Sequence, residues 1–158
     1  MNATFEKMAI LTPLIVGLLA IMASIVIHSI AGRSVLYLMV REMRRPAHLR
    51  RYRHDIMIVW SATSVLLVGH LAEILMWSVL IFGLGEFPNL GPAFYHSAVN
   101  YTTLGYGDIV MSPAWRLLGP LEAADGMLMF GVTTALVFAV INRIAAHNFA
   151  PFDANPTE

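Results

Sequence analysis

A short polar run, Thr-Thr-Leu-Gly-Tyr-Gly-Asp at residues 102–108, lies within a chain that is otherwise mostly apolar. Gly105 and Gly107 permit backbone angles that other L-residues avoid, so successive carbonyl oxygens can point in one direction. Such oxygens can replace the water shell of a cation and still release it, and the Thr103 hydroxyl can add one more oxygen. Asp108, at the far end of the run, can concentrate cations. These residues predict reversible coordination of a cation by the backbone.

The run implies several copies of the chain. A single loop cannot close a ring of oxygens around an ion, whereas four copies about one axis can. The sequence has one such run and no internal repeat, so we predict a homotetramer. We expect the side chains of Leu104 and Tyr106 to point away from the axis into surrounding protein, where they support the width of the ring.

The composition places most of the chain in lipid. Of its residues, 58% are hydrophobic and only 13% are charged, whereas soluble domains carry about a quarter charged residues. The mean hydropathy is +0.68. The chain has no cysteine, which excludes disulfides and thiolate metal sites. We predict one all-α membrane domain with three transmembrane helices, a re-entrant pore helix and a filter loop.

A basic segment follows the first apolar stretch. Residues 8–32 carry no formal charge and are long enough to span a bilayer. Their only titratable residue, His28, is either a packed or interfacial side chain or a proton sensor. Residues 33–53 hold seven of the ten Lys and Arg residues, and short Arg-rich segments stay in the cytoplasm. We therefore expect residues 1–7 outside the cell and residues 33–53 in a cytoplasmic loop, in a multi-pass protein of the cell inner (plasma) membrane.

The basic loop at residues 33–53 has two interpretations. It is a topology signal alone, or it also attracts anionic lipid head groups. Nucleic acid is a poor partner, because predicted spanning helices precede and follow the loop and hold it at the membrane. The arginines that would contact lipid are Arg41, Arg44, Arg45, Arg50, Arg51 and Arg53.

Residues 54–147 form the predicted pore domain, and the C-terminus is expected in the cytoplasm. The segment opened by Pro92 is too short to cross a bilayer, so we predict that it enters and returns, with its negative C-terminal end toward the ion. The predicted elements are an outer helix, a pore helix, the filter, an inner helix and a short tail, at residues 56–84, 92–102, 103–107, 115–147 and 148–158.

Two pairs of polar residues lie on the spanning helices at i, i+3 spacing, so each pair shares one helix face. His70 and Glu73 could form a buried hydrogen bond that packs the outer helix on its neighbour, or a protonation site that tunes opening. Glu122 and Asp125 could hydrogen-bond behind the filter through Asn100, or could face the ion path and attract cations.

Residues 102–108 resemble the potassium-channel signature Thr-Thr-Val-Gly-Tyr-Gly-Asp, with Leu104 in the valine position. The resemblance extends over about residues 56–144 and is greatest to the small bacterial two-helix pore domain of the ion-channel superfamily, here with an extra N-terminal helix. It implies K⁺ as the transported ion, and we expect no other cofactor. The residues that it assigns to the filter are Thr103, Leu104, Gly105, Tyr106 and Gly107.

The resemblance also assigns the surroundings of the filter. Gly126 lies where the family has a hinge glycine, with Gly131 as a second candidate. Family members carry two tryptophans where this chain has Tyr95 and His96, and His96 would either hydrogen-bond Tyr106 or pack as a neutral ring. The other expected supports are Thr102, Asn100 and Asp108. The residues expected to line the cavity or its inner constriction are Met127, Phe130, Thr134 and Phe138.

Together these features predict a passive, potassium-selective channel and no enzyme. One alternative is a non-conducting or regulatory subunit of another channel, which would retain the run at residues 102–108. A second alternative is a small membrane enzyme that uses His70 and Glu73, although a metal site needs more ligands than this pair offers.

Overall fold

Three long helices and one short helix make up the chain in a computed structural model that describes residues 3–43 and 52–149. The described residues contain no strand. The helices are α1 (Ala3–Met43), α2 (Tyr52–Gly83), α3 (Leu90–Tyr101) and α4 (Leu118–Phe149). Stretches long and apolar enough to cross a membrane are Ile10–Glu42, Arg53–Gly83 and Leu118–Ala146. The predicted all-α membrane fold, with three spanning helices and one short helix, is confirmed.

α1 and α3 each pack against both α2 and α4. α1 makes these contacts through a stripe of mostly small residues at helical spacing, which allows close approach of the backbones. The buried stripe includes Gly17, Ala20, Ser24, His28, Ala31 and Val35. The opposite side of α1 exposes large apolar side chains such as Leu19 and Ile30, as expected for a lipid-facing surface.

Two hydrophobic clusters hold the four helices together, and a polar layer separates them. One cluster lies beside α3 and includes Trp77 and Tyr101. The other lies toward the C-terminal end of α1 and includes Val35 and Leu66. Between the clusters, α1, α2 and α4 contribute the polar layer, which we define as His28, His70, Glu73 and Thr133.

The first helix is longer than predicted. α1 continues through Arg33 and Arg41 to Met43, so the first part of the predicted basic loop is helical. Arg41 is exposed, and its Nε lies 3.8 Å from Glu42. Of the other predicted lipid contacts, Arg53 is exposed on the first turn of α2, and Arg44, Arg45, Arg50 and Arg51 lie outside the described residues.

The pore helix and the inner helix begin at residues other than those predicted. α3 starts at Leu90 and not at Pro92, because Asn89 caps it and accepts the Gly91 N–H at 3.2 Å. α4 starts at Leu118 and not at residue 115, because residues 113–117 form turns. α2 also begins earlier than predicted, at Tyr52 and not at residue 56, and it ends within one residue of its predicted end.

Candidate ion-conduction site

The filter backbone alternates between two conformations. Thr103, Gly105 and Gly107 have φ values of 60°, 59° and 71°, whereas the intervening Leu104 and Tyr106 do not have positive φ. Alternation of left-handed with ordinary backbone angles turns successive peptide planes so that their carbonyls can share one side. Gly105 and Gly107 adopt left-handed backbone angles at little energetic cost because they lack a Cβ atom. Thr103 adopts such an angle with its N–H hydrogen-bonded to Asn100.

Hydrogen bonds to the end of α3 orient the inner part of the filter. The N–H groups of Thr103, Leu104 and Gly105 donate to carbonyls of α3 at 2.8, 2.9 and 3.2 Å. The acceptors are Asn100 and Val99. Because these N–H groups turn back toward the helix, the filter is anchored through its amides. The carbonyl oxygens then remain for another partner.

Residues 102–108 are all exposed in the single chain. The side chains of Leu104 and Tyr106 are 55% and 66% exposed. The expectation that they contact surrounding protein is therefore not met within the described part of one chain. The run is thus anchored to α3 through its amides and exposed on its other side.

Two side-chain contacts fix the outer end of the filter. The Tyr95 hydroxyl donates to Asp108 Oδ2 at 2.8 Å, and this hydrogen bond holds the pKa of Asp108 below its usual range while it raises the pKa of Tyr95. Glu86, in the loop after α2, accepts the backbone N–H of Ser112 at 2.6 Å and its hydroxyl at 2.7 Å. The loop after the filter is thus tied to the loop before α3.

Of the two interpretations of His96, the contact with Tyr106 is not present within the described part of one chain. The His96 ring is buried, lies 5.1 Å from the Phe87 ring and contacts Asn100. Burial lowers the pKa of His96, because the charged imidazolium loses hydration. The packed neutral ring is therefore the interpretation that the geometry favours.

Gly126 lies where α4 crosses the end of α3. A Cβ atom at this position would be 1.9 Å from the carbonyl oxygen of Tyr101, so only glycine allows this approach of the two backbones. Gly131, the other predicted hinge, has no atom within 4 Å of such a Cβ. The structure therefore gives Gly126 a packing function directly behind the filter, which the sequence pattern did not predict.

A comparison with protein families identifies this arrangement. A family model described as "Ion channel" matches residues 57–143, which is more than half of the chain. The chain belongs to this ion-channel family. The match covers most of α2, all of α3 and the filter, and most of α4. A search of curated proteins and a search of solved structures found no match for the channel.

The family assignment identifies a transport protein and not an enzyme, so the hypothesis of a membrane enzyme is wrong. The matched region begins after α1. α1 therefore lies outside the matched region, and it packs against α2 and α4, which lie largely within it.

The predicted cavity residues of the channel lie on exposed parts of α4. Met127 and Phe138 are 60% and 63% exposed, and Thr134 is exposed as well. Phe130 is partly covered, because its ring lies 4.5 Å from the His70 ring and 5.7 Å from the Tyr101 ring. Apart from Phe130, the residues predicted to line the cavity are therefore not covered by other helices within the described part of one chain.

Both acids of α4 are buried inside the channel subunit. Asp125 Oδ2 accepts the Trp77 indole N–H at 2.8 Å, and Asp125 also faces Ser24 of α1. One interpretation of these acids is a hydrogen bond behind the filter through Asn100; within the described residues Glu122 instead faces Ser97 of α3. Neither acid faces a cavity, because both side chains are fully buried.

The His70–Glu73 pair is part of a larger set of contacts. His28 Nδ1 lies 3.0 Å from Glu73 Oε1, and the Tyr101 hydroxyl donates to Glu73 Oε2. His70 Nδ1 lies 3.0 Å from the Tyr101 oxygen and 3.3 Å from Glu73 Oε2. Thr133 Oγ1 contacts the Nε2 atoms of His70 and His28 at 2.8 and 3.2 Å. All four helices are joined here.

The sequence indicated His70 and Glu73 but not their partners. His28 and Glu73 are 45 residues apart, and Thr133 and His28 are 105 residues apart. A signal was available in α1, where His28 occupies the same helical stripe as Gly17 and Ser24. A histidine within a stripe of small residues predicts contact with another helix, not with lipid.

Proposed function

We propose that the channel conducts K⁺ passively and selectively as a homotetramer. The observation that carries the proposal is the left-handed backbone at Thr103, Gly105 and Gly107, within a run that resembles the potassium-channel signature. Backbone carbonyls are neutral ligands that can replace the hydration shell of K⁺ and release the ion again. Thr103, Leu104, Gly105 and Tyr106 supply these oxygens in the proposal.

The exposed filter supports four copies about one axis. In one chain the side chains of Leu104 and Tyr106 lack cover, and a single row of carbonyls surrounds no ion. Four copies would enclose the filter, and Met127, Thr134 and Phe138 would then line the path below it. The end of α3 would point its partial negative charge toward the ion.

The basic residues support an orientation in the membrane. Arg33 and Arg41 lie in the C-terminal part of α1, and Arg53 lies at the start of α2, so they are at the same end of the bundle. We place this end in the cytoplasm of a plasma membrane, with the N-terminus outside and the C-terminus inside. Anionic lipid head groups are the proposed partners of Arg41 and Arg53.

Ion flux into liposomes tests this proposal. Purified protein reconstituted at low density should give K⁺ flux at least about 100-fold greater than Na⁺ flux, as expected for a carbonyl-lined filter. Protein-free liposomes provide the control, and native mass measurement provides the number of chains. Equal K⁺ and Na⁺ flux, or a dimer, would contradict the proposal.

The pH dependence of the flux should change in Tyr95→Phe. The ionised Asp108 concentrates K⁺ at the mouth, so flux falls as the pH falls through the pKa of this carboxyl. The Tyr95 hydrogen bond holds that pKa low, and therefore the fall should occur at higher pH in the variant. Flux measured over a pH series gives the midpoint. Tyr37→Phe, at a tyrosine exposed on α1, is the control. An unchanged midpoint in Tyr95→Phe would count against the proposed function of this contact.

A further inference from the structure

A compact set of metal-ligand side chains lies between the helices, away from the filter. His28, His70 and Glu73 each offer one donor atom, and these three atoms lie within 4.8 Å of one another. Their side chains are buried, with Glu73 at 0% exposure. Two histidines and one glutamate are a ligand set that zinc uses in proteins. α1 supplies the third ligand that the His70–Glu73 pair lacked.

Two distances between these side chains, one to each carboxylate oxygen of Glu73, are close to the ligand separation of a four-coordinate site. A tetrahedral ion with bonds of about 2.0–2.1 Å holds its ligand atoms about 3.3 Å apart. His70 Nδ1 lies 3.3 Å from Glu73 Oε2, and His28 Nδ1 lies 3.0 Å from Glu73 Oε1. The Tyr101 oxygen, 3.0 Å from His70 Nδ1, is placed as a fourth ligand. Metal binding would separate the Tyr101 and Glu73 oxygens, which are now hydrogen-bonded.

Thr133 contacts both histidines at Nε2 and can stabilise the tautomer that a metal requires. In this structure Tyr101 donates to Glu73, so His70 Nδ1 carries a proton toward Tyr101, and metal binding would place this proton on Nε2 instead. Its Oγ1 lies 2.8 Å from His70 Nε2 and 3.2 Å from His28 Nε2. A hydroxyl has two lone pairs and one proton, so it can accept two N–H groups but can donate only once. If both Nε2 atoms carry the protons, both Nδ1 lone pairs are directed at the same region beside Glu73. Metal-bound histidines characteristically donate their second ring N–H to such a partner.

We propose that His28, His70 and Glu73, with Tyr101 as the fourth ligand, bind a divalent transition metal with the coordination preferences of zinc. Thr133 is a positioning residue, since it would hold the two imidazoles without contacting the ion. The carboxylate of Glu73 would offset one of the two positive charges of the metal ion. Asp125 accepts a hydrogen bond from Trp77, which lies about one helical turn after Glu73 on α2. Asp125 therefore supplies a further carboxylate in the same bundle. This proposal does not depend on the selectivity of the channel.

The bound metal would connect α1 to the pore. Its ligands come from α1, α2 and α3, and Thr133 adds α4. Tyr101 is the last residue of α3, immediately before the residues that lead into the filter. A metal at this site would therefore hold the extra helix, the outer helix and the base of the filter in one arrangement.

Cobalt binding provides the test, because tetrahedral Co²⁺ absorbs visible light characteristically and commonly substitutes for zinc. The full-length protein is purified, treated with a chelator and titrated with Co²⁺ in detergent or lipid nanodiscs. We expect about one Co²⁺ per chain with tetrahedral absorption, displaced by Zn²⁺. His28→Gln and Glu73→Gln should remove the band. Thr133→Val should weaken binding about 10- to 100-fold while the band retains its shape.

His96→Gln is the matched control, because it removes another buried histidine that lies on α3 outside the cluster. Size-exclusion profiles and helical content establish that each variant is folded. The wild-type titration decides the question even where a variant does not fold. Absence of a tetrahedral band in wild type, or an undiminished band in folded His28→Gln, would overturn the proposal and leave the hydrogen-bonded cluster without a metal.

Discussion

Gly126→Ala is expected to reduce the proposed K⁺ flux at least about 10-fold and to weaken the proposed oligomer, since overpacking at a close contact typically costs about 1–3 kcal/mol per chain and occasionally more. The new Cβ would lie 1.9 Å from the Tyr101 carbonyl oxygen. The two atoms must separate by about 1 Å to reach even the shortest tolerated contacts. Because Tyr101 ends α3, this displacement is transmitted directly to the filter. Liposome flux and the thermal stability of the oligomer measure both effects.

Gly83→Ala is the control that separates the effect of the close contact at Gly126 from the effect of alanine on helix propensity. Gly83 ends α2, and a Cβ there meets no atom within 4 Å, so this variant should retain nearly wild-type flux and oligomer stability. A hinge function alone would change flux in Gly126→Ala while the oligomer stayed as stable as wild type. That outcome would show that the contact with Tyr101 tolerates a methyl group.

Gly105→Ala should abolish selectivity or flux. Gly105 has a φ of 59°, and an L-residue in this left-handed region costs about 1–2 kcal/mol. Four copies of the proposed ring would bear roughly 4–8 kcal/mol, which is enough to shift the backbone and misalign its carbonyls. We expect the K⁺ to Na⁺ flux ratio to fall at least about 10-fold, or flux to be lost. Paired flux measurements with the two ions give this ratio.

Gly85→Ala is the matched control for this change. Gly85 also has a positive φ, 78°, and a Cβ there would likewise meet no atom within 4 Å. It lies in the loop after α2, so the variant carries a similar backbone cost away from the filter. Selectivity should be retained in Gly85→Ala. Equal selectivity in both variants would contradict the assignment of residues 103–107 as the filter.

The architecture was predictable because its signals are local. Long uncharged stretches predict spanning helices, and the short segment after Pro92 is too brief to cross a bilayer. Both conclusions agree with α1, α2, α3 and α4. The boundaries were less predictable. α1 continues to Met43 through Arg33 and Arg41, since the residues after Gly32 contain no further glycine or proline before Met43 and arginine is a good helix former.

The supports of the filter were less accessible to sequence reasoning, because they depend on contacts between helices. The pattern placed Tyr95 and His96 beside the filter, but only the fold gives Tyr95 the contact with Asp108 and directs His96 toward Phe87 and Asn100. Helical spacing placed Glu122 and Asp125 on one face without defining what that face meets. Such partners follow from helix rotation, which periodicity alone does not determine for helices that are apolar all round.

The polar layer has a consequence for biosynthesis. His28 enters the membrane before its partners exist, because Glu73 follows 45 residues later and Thr133 follows 105 residues later. At ordinary rates of translation the interval before Thr133 is made is roughly 5–20 seconds. Until α2 supplies Glu73, α1 presents an unpaired imidazole to lipid or to water at the insertion site, and His28 lacks Thr133 for the whole interval. We therefore expect the docking of α1 to be a late step, completed only after α4 has emerged from the ribosome.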